Sequence, residues 1–192
     1  MQDQKTISCQ CGAVEICLSG APILSGECVC TSCRSAGAMM QSLKGAPQIL
    51  SAYGGTKVIV FRKDRLRVQT GEMQLKEFRL DPKSKTRRVI ATCCNTPMMI
   101  EYTPGHWYSL YAHNFAPEDR PPVESRSFTA SLPDPSILPQ DTVNAKTVTA
   151  GFIFKMLASF AAMGFRKPKT RFVHGTLDLQ VAGADTAANG AS

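Results

Sequence analysis

Polar and apolar residues alternate with a period of two over much of the first hundred positions, the mark of half-buried strands. In residues 13–18 the side chains of Val14, Ile16 and Leu18 share one face. Comparable short runs follow at 56–61, 65–70, 73–80, 87–92 and 98–102, with Leu66 and Val68 alternating with arginines in the second of them. Gly54-Gly55, Asp81-Pro82 and Asn95-Thr96-Pro97 supply turns between the runs. Two segments read instead as helices, 35–43 and 148–165, and the second carries Phe152, Phe154, Met156, Leu157, Phe160, Met163 and Phe165 with Lys155 as its one charge. Many short strands with frequent turns predict a mainly β, antiparallel domain rather than a βαβ fold. The expected organisation is a β domain over 1–114, then a proline-rich loop and helix over 115–180 packed on the same domain. The Ala- and Gly-rich tail, 181–192, is expected to be disordered.

Composition adds limits rather than a function. The chain has 192 residues, 43% of them hydrophobic, which suits one large domain. The apolar segment at 148–165 falls short of the roughly 20 apolar residues a membrane span needs. It is expected to pack on the domain, the alternative being a membrane-surface helix flanked by Arg166-Lys167-Pro168-Lys169. Asp3, Lys5 and Glu15 interrupt any signal-peptide core, so a cytoplasmic protein is expected. The formal net charge is +7, and residues 57–88 hold eleven Lys and Arg against four Asp and Glu. Arg62, Lys63, Arg65, Arg67, Lys83, Lys85, Arg87 and Arg88 read either as solvated strand ends and turns or as a patch for an anionic ligand.

The candidate chemistry lies in the cysteines. Seven of eight fall in three clusters: Cys9-Gln10-Cys11-Gly12, Cys28-Val29-Cys30-Thr31-Ser32-Cys33 and Cys93-Cys94-Asn95-Thr96-Pro97. Disulfides are the rival reading, but in a reducing compartment clustered thiols serve metal or redox work, and zinc takes several thiolates about 2.3 Å away in a tetrahedron. Two such sites, with four and three thiolates, would lower the charge from +7 to about +4. In an extended strand the cysteines of Cys-x-Cys stand about 6.6 Å apart, so the chain must bend there, and Gly12 permits it. Cys93 and Cys94 would face opposite ways along a regular strand, so sharing a metal requires the strand to break at Asn95-Thr96-Pro97.

The order of these motifs resembles the glutathione-dependent formaldehyde-activating enzyme and centromere protein V family, over residues 5 to about 112. The resemblance implies a zinc-bearing β-tent. It implies a structural zinc on Cys9, Cys11 and Cys94, and a second zinc on Cys28, Cys30 and Cys33 beside glutathione or the catalytic site. The family's third motif, Cys-x-x-Cys-Gly, departs here: Ala91 stands at its first cysteine and Asn95 at its glycine. Cys93 is the candidate fourth ligand by availability, and Asn95 can adopt the left-handed backbone that glycine would supply.

Three protein thiolates would leave an open coordination position, which suits thiol exchange. Cys17 reads as a free, partly buried thiol, and no role falls to His174. His106 and His113 can complete the second site or sit hydrogen-bonded among aromatics. Neither a nucleophile–base pair nor a phosphate-cradling glycine loop is visible. Three functions stay open: a carbon–sulfur lyase acting on thiol–aldehyde adducts, a non-catalytic zinc module binding nucleic acid or another polyanion through 57–88, and a protein with two structural zincs whose function lies in the C-terminal helix.

Overall fold

The computed structural model describes residues 4–179, so the tail expected at 181–192 lies outside the described residues. Strands β1 (Gln4–Ser8), β2 (Glu15–Ser19) and β5 (Leu66–Thr70) form a small antiparallel sheet in the order β1-β2-β5. A second sheet of eight strands contains β3 (Leu24–Cys28), β4 (Thr56–Arg62), β6 (Leu75–Phe78), β7 (Thr86–Ala91), β8 (Thr96–Tyr102), β9 (Trp107–Tyr111), β10 (Ser125–Ser127) and β11 (Val143–Asn144). Its order is β11-β10-β3-β4-β9-β8-β7-β6. The fold is mainly β, as the alternation predicts, but the antiparallel expectation needs one correction. At the edge, β10 runs parallel to both β3 and β11. A long connection brings β10 back beside β3, with Arg126 paired to Glu27 in register, and that return sets its direction.

The large sheet has two working faces, and strict alternation assigns side chains to each. On one face Ile59, Phe61, Val89, Met99 and Leu110 pack against Ile7, Ile16 and Leu18 of the small sheet. Each fully buried Ile or Leu there is worth about 1.5–3 kcal/mol. The register Leu24↔Val60↔Ser109↔Ile100↔Arg88 defines the opposite face, which also carries Gly26 and Cys28.

Two helices cover that second face. Helix α1 (Thr31–Gln41) buries Ala36 and Met40 against Ile90 and Tyr111. Gly37 lets it approach closely, because a β-carbon there would meet Leu50 at 2.5 Å. Helix α2 (Ala150–Ala162) begins at Thr149, whose hydroxyl accepts from the Phe152 N–H, and it buries Met156 against Leu24, Val58 and Val60. Ile153, Phe154 and Leu157 remain exposed on its outer side. No helix among the described residues is long and apolar enough to cross a membrane.

Candidate metal centres

The first cysteine group forms where two turns meet at an edge of the inter-sheet core. Between β1 and β2 the chain turns back at Gly12, with φ +78°, its N–H donating to the Cys9 carbonyl at 3.0 Å. Between β7 and β8 it turns over residues 92–95, and Asn95 takes the left-handed backbone at φ 54°. The strand break therefore falls just before Thr96-Pro97 rather than on it. Pro97 itself sits in β8 next to a register shift, where a missing N–H is tolerated.

These turns bring the sulfurs of Cys9, Cys11, Cys93 and Cys94 within 4.8 Å of one another. The separations are 3.6 Å for Cys9–Cys11, 3.7 Å for Cys9–Cys93, 3.5 Å for Cys11–Cys93 and 3.9 Å for Cys93–Cys94. Four sulfurs set tetrahedrally at 2.3 Å from an ion would be about 3.8 Å apart, so the residues fit such an ion. Outer partners orient them: the Val14 N–H donates to the Cys9 sulfur at 3.3 Å, and Thr96 Oγ1 lies 3.0 Å from the Cys94 sulfur. Burial pushes the Cys94 thiol up, but bonds from Thr96 and from the Cys11 backbone outweigh it and hold the thiol at about 7.

The second group, Cys28, Cys30 and Cys33, also lies within 4.8 Å of itself, on the helix-covered face. Cys28 ends β3, Cys30 is the N-cap of α1, and Cys33 occupies the helix's first turn. The Cys33 N–H donates to the Cys30 sulfur at 3.4 Å, and the positive end of the helix dipole favours negative charge there. Hydrogen bonds from Cys28 and then Cys33 hold the Cys30 thiol down at about 2, while its bond to Cys30 pushes Cys28 up to about 11. One thiolate is thus shared between two thiols. Cys28 and Cys33 also line a cavity of about 160 Å³.

Arg88 is the residue that the sequence reading misplaced. It is 2% exposed, and its guanidinium donates to the Ser32 carbonyl at 3.1 Å and hydroxyl at 2.7 Å, inside the cysteine loop. Its charge also favours the Cys30 thiolate. Two more of the cations expected at solvated strand ends, Lys63 and Arg87, need the same correction. Lys63 is buried and pairs with Glu101 at 2.5 Å, and Arg87 bridges Glu101 and Glu77 at 2.7 and 2.6 Å. Part of the basic stretch is thus consumed inside the fold, leaving Lys57 exposed on β4, Arg67 on β5, and Lys83 and Lys85 in the β6–β7 turn.

Among the described residues no histidine joins either group. His106 is hydrogen-bonded to Ser159 at 2.8 Å and stacked on Phe160. His113 is not part of either cluster, and burial lowers its imidazole to about 4. His174 pairs with Glu72 at 2.9 Å, and Cys17 is buried as a free thiol.

A small sheet seated on a large one, with a four-thiol group at their edge and a three-thiol group under a helix start, defines a double-cluster, metal-competent β protein. The family model described as glutathione-dependent formaldehyde-activating enzyme matches residues 4–113, more than half of the chain, and the chain belongs to that family. None of the curated proteins compared matches. A crystal structure of a Rhodobacter sphaeroides protein, a structural-genomics target, is similar over 62% of this chain and 97% of that one. It shares 19% identity at a TM-score of 0.42.

Proposed function

We propose that Cys9, Cys11, Cys93 and Cys94 hold a structural zinc, and that Cys28, Cys30 and Cys33 hold a second zinc at which thiol–aldehyde adducts are made or broken. The reading rests on one observation above all: a three-sulfur group, short of a fourth protein donor among the described residues, opens onto a cavity. The reaction joins a thiol to an aldehyde. One carbon–sulfur bond forms, the thiol proton passes to the aldehyde oxygen, and the reverse step breaks the same bond without oxidation or reduction. Zinc, when bound, supplies charge stabilisation and an open coordination position for a sulfur or oxygen donor.

The chain's own residues supply the rest. The α1 N-terminus and Arg88 favour negative charge at the cluster, and the bonds from Arg88 to Ser32 fix the loop that carries Cys30 and Cys33. Thiols must stay reduced for this chemistry, which accords with the cytoplasmic location proposed for the protein. Glutathione and formaldehyde are the reactants that the family's description names. The test is exchange NMR of adduct formation between formaldehyde and a panel of thiols that includes glutathione. Acceleration over the uncatalysed rate for at least one thiol, lost in Cys30→Ser, supports the proposal. No acceleration with any thiol removes it.

A further inference from the structure

The wall of the cavity beside Cys28 and Cys33 has a chemical character of its own. The strand register puts Leu24, Val58, Val60 and Ile100 on the face that bears Cys28, with Gly26 leaving room in front of it. Phe152 from α2 and Phe128 close the sides. Among the described residues no carboxylate, lysine or arginine side chain faces this wall: Glu27 lies between Gly26 and Cys28, and alternation turns its side chain to the other face. Its carboxylate is already engaged, accepting from Arg126 Nε at 2.9 Å and from the Tyr53 hydroxyl at 2.7 Å.

Phe128 is a second, independent observation. It holds a left-handed backbone, φ 61° and ψ 36°, which is costly for a bulky side chain. The conformation is fixed by its N–H donating to the Thr147 carbonyl at 2.9 Å and its carbonyl accepting from Ser131 at 3.0 Å. Strain of this kind persists where the surroundings impose it, and it collects at ligand sites. Here it sets an aromatic ring, 39% exposed, at the border of an apolar cavity.

From the wall and the ring we infer that this site takes an adduct whose thiol carries an apolar, uncharged substituent of about phenyl size, rather than glutathione. The inference rests on the thiol–aldehyde reading above and narrows its substrate class. The volume, about 160 Å³, is close to that of a cavity that holds benzene. Glutathione would bring two carboxylates and an ammonium against a wall with no lysine or arginine to pair the carboxylates. Charged groups placed so lose water without gaining a partner.

The test loads the full chain with cobalt as a probe ion and titrates it with 2-phenylethanethiol and with glutathione. The visible bands of cobalt report a sulfur reaching the metal. The emission of Trp107, which packs against the same cluster as Leu24, Val58, Val60 and Phe152, reports filling of the cavity. The aromatic thiol should bind at least about tenfold more tightly, the worth of roughly two methylenes taken from water. Ser109→Leu, which fills the cavity and leaves every cysteine in place, should remove that preference. Phe128→Ala, at a half-exposed position that the core does not depend on, should weaken the aromatic thiol several-fold and leave glutathione unchanged.

Equal or tighter binding of glutathione overturns the inference while the thiol-site reading stands. A preference that survives both variants overturns it as well. If neither thiol alters the bands of the three-cysteine cobalt, the thiol-site reading fails and takes the inference with it.

Discussion

Arg88→Met separates the two things a buried cation can do beneath a thiolate cluster. The side chain is 2% exposed, forms no ion pair with a carboxylate among the described residues, and leaves its Nε without a hydrogen-bond partner. Burying such a charge costs several kcal/mol, which a methionine of similar length would relieve. Against this stand two charge-assisted bonds to Ser32, each worth about 1.5–3 kcal/mol. Ser32 is exposed, so water takes up its oxygens in the variant and the lower end applies. The two effects roughly cancel, and the melting temperature should move by only a few degrees.

Metal affinity has no such compensation. Three thiolates and a divalent ion carry a net charge of −1, and the variant loses both the nearby positive charge and the bonds that hold the Cys30–Cys33 loop. A loss of about 1.4–2.7 kcal/mol means affinity falls about 10- to 100-fold at the three-cysteine site alone. Chelator competition on cobalt-loaded protein reads this, with the unaffected four-cysteine site as internal control and Cys30→Ser assigning the two steps. Arg88→Lys keeps the charge but not the reach of Nη2, which makes both bonds to Ser32, and should fall between. An affinity in Arg88→Met within about threefold of wild type, or an equal loss at both sites, refutes the reasoning.

Further expectations can be checked on the same protein. Cys9→Ser or Cys11→Ser should lose one metal per chain and lower the melting temperature by about 10–20 °C, since metal binding at a structural site is folding free energy. Cys30→Ser should lose the other metal yet melt within a few degrees of wild type, because a serine hydroxyl still caps the Cys33 N–H. Burial and then Arg120 hold His113 at about 4, so the folded chain prefers the neutral ring. The unfolded chain therefore binds more protons between about pH 6.5 and 4, and stability falls as pH drops through that window, by about 1–3 kcal/mol. Parallel acid titrations of wild type and His113→Gln isolate this part, and the variant should show the shallower loss.

Alternation found the strands that bury one face and wet the other. The runs at 56–61, 65–70 and 87–92 became β4, β5 and β7 within a residue or so. Helix 35–43 begins earlier, at Thr31, because Cys30 supplies the cap, and a cysteine is not a usual cap signal. Strand β3 escaped notice because Ser25, Gly26 and Glu27 look like a polar turn. Glu27 is buried only because Arg126, 99 residues away, meets it there. Such a pairing leaves no local periodicity. Strand β9 was hidden by its aromatic run, and β10 by being three polar residues long. For Arg88 a signal existed: it shares parity with Ile90, so its side chain belongs on an inner face of β7. The cysteine spacing was legible because thiolate chemistry allows few arrangements. The cavity was not, since its lining comes from seven separate elements, β3, α1, β4, β8, β9, β10 and α2.

Under the proposed function, the surroundings of the two cysteine groups would make one metal structural and leave the other available for chemistry. Gln10, Cys11, Gly12 and Ala13 are all exposed, and Cys93 is exposed in the facing turn, so these loops have no packed core of their own. Four sulfurs around one ion are what can hold them together and clip the small sheet to the large one. The three-cysteine loop is the reverse case. It is anchored before any metal arrives, by β3 pairing with β4, by Ala36 and Met40 under α1, and by Arg88 on Ser32. A site already positioned by its scaffold can leave a coordination position unfilled without losing its shape. That spare position, set against an apolar cavity, is the feature on which a reaction at this protein would turn.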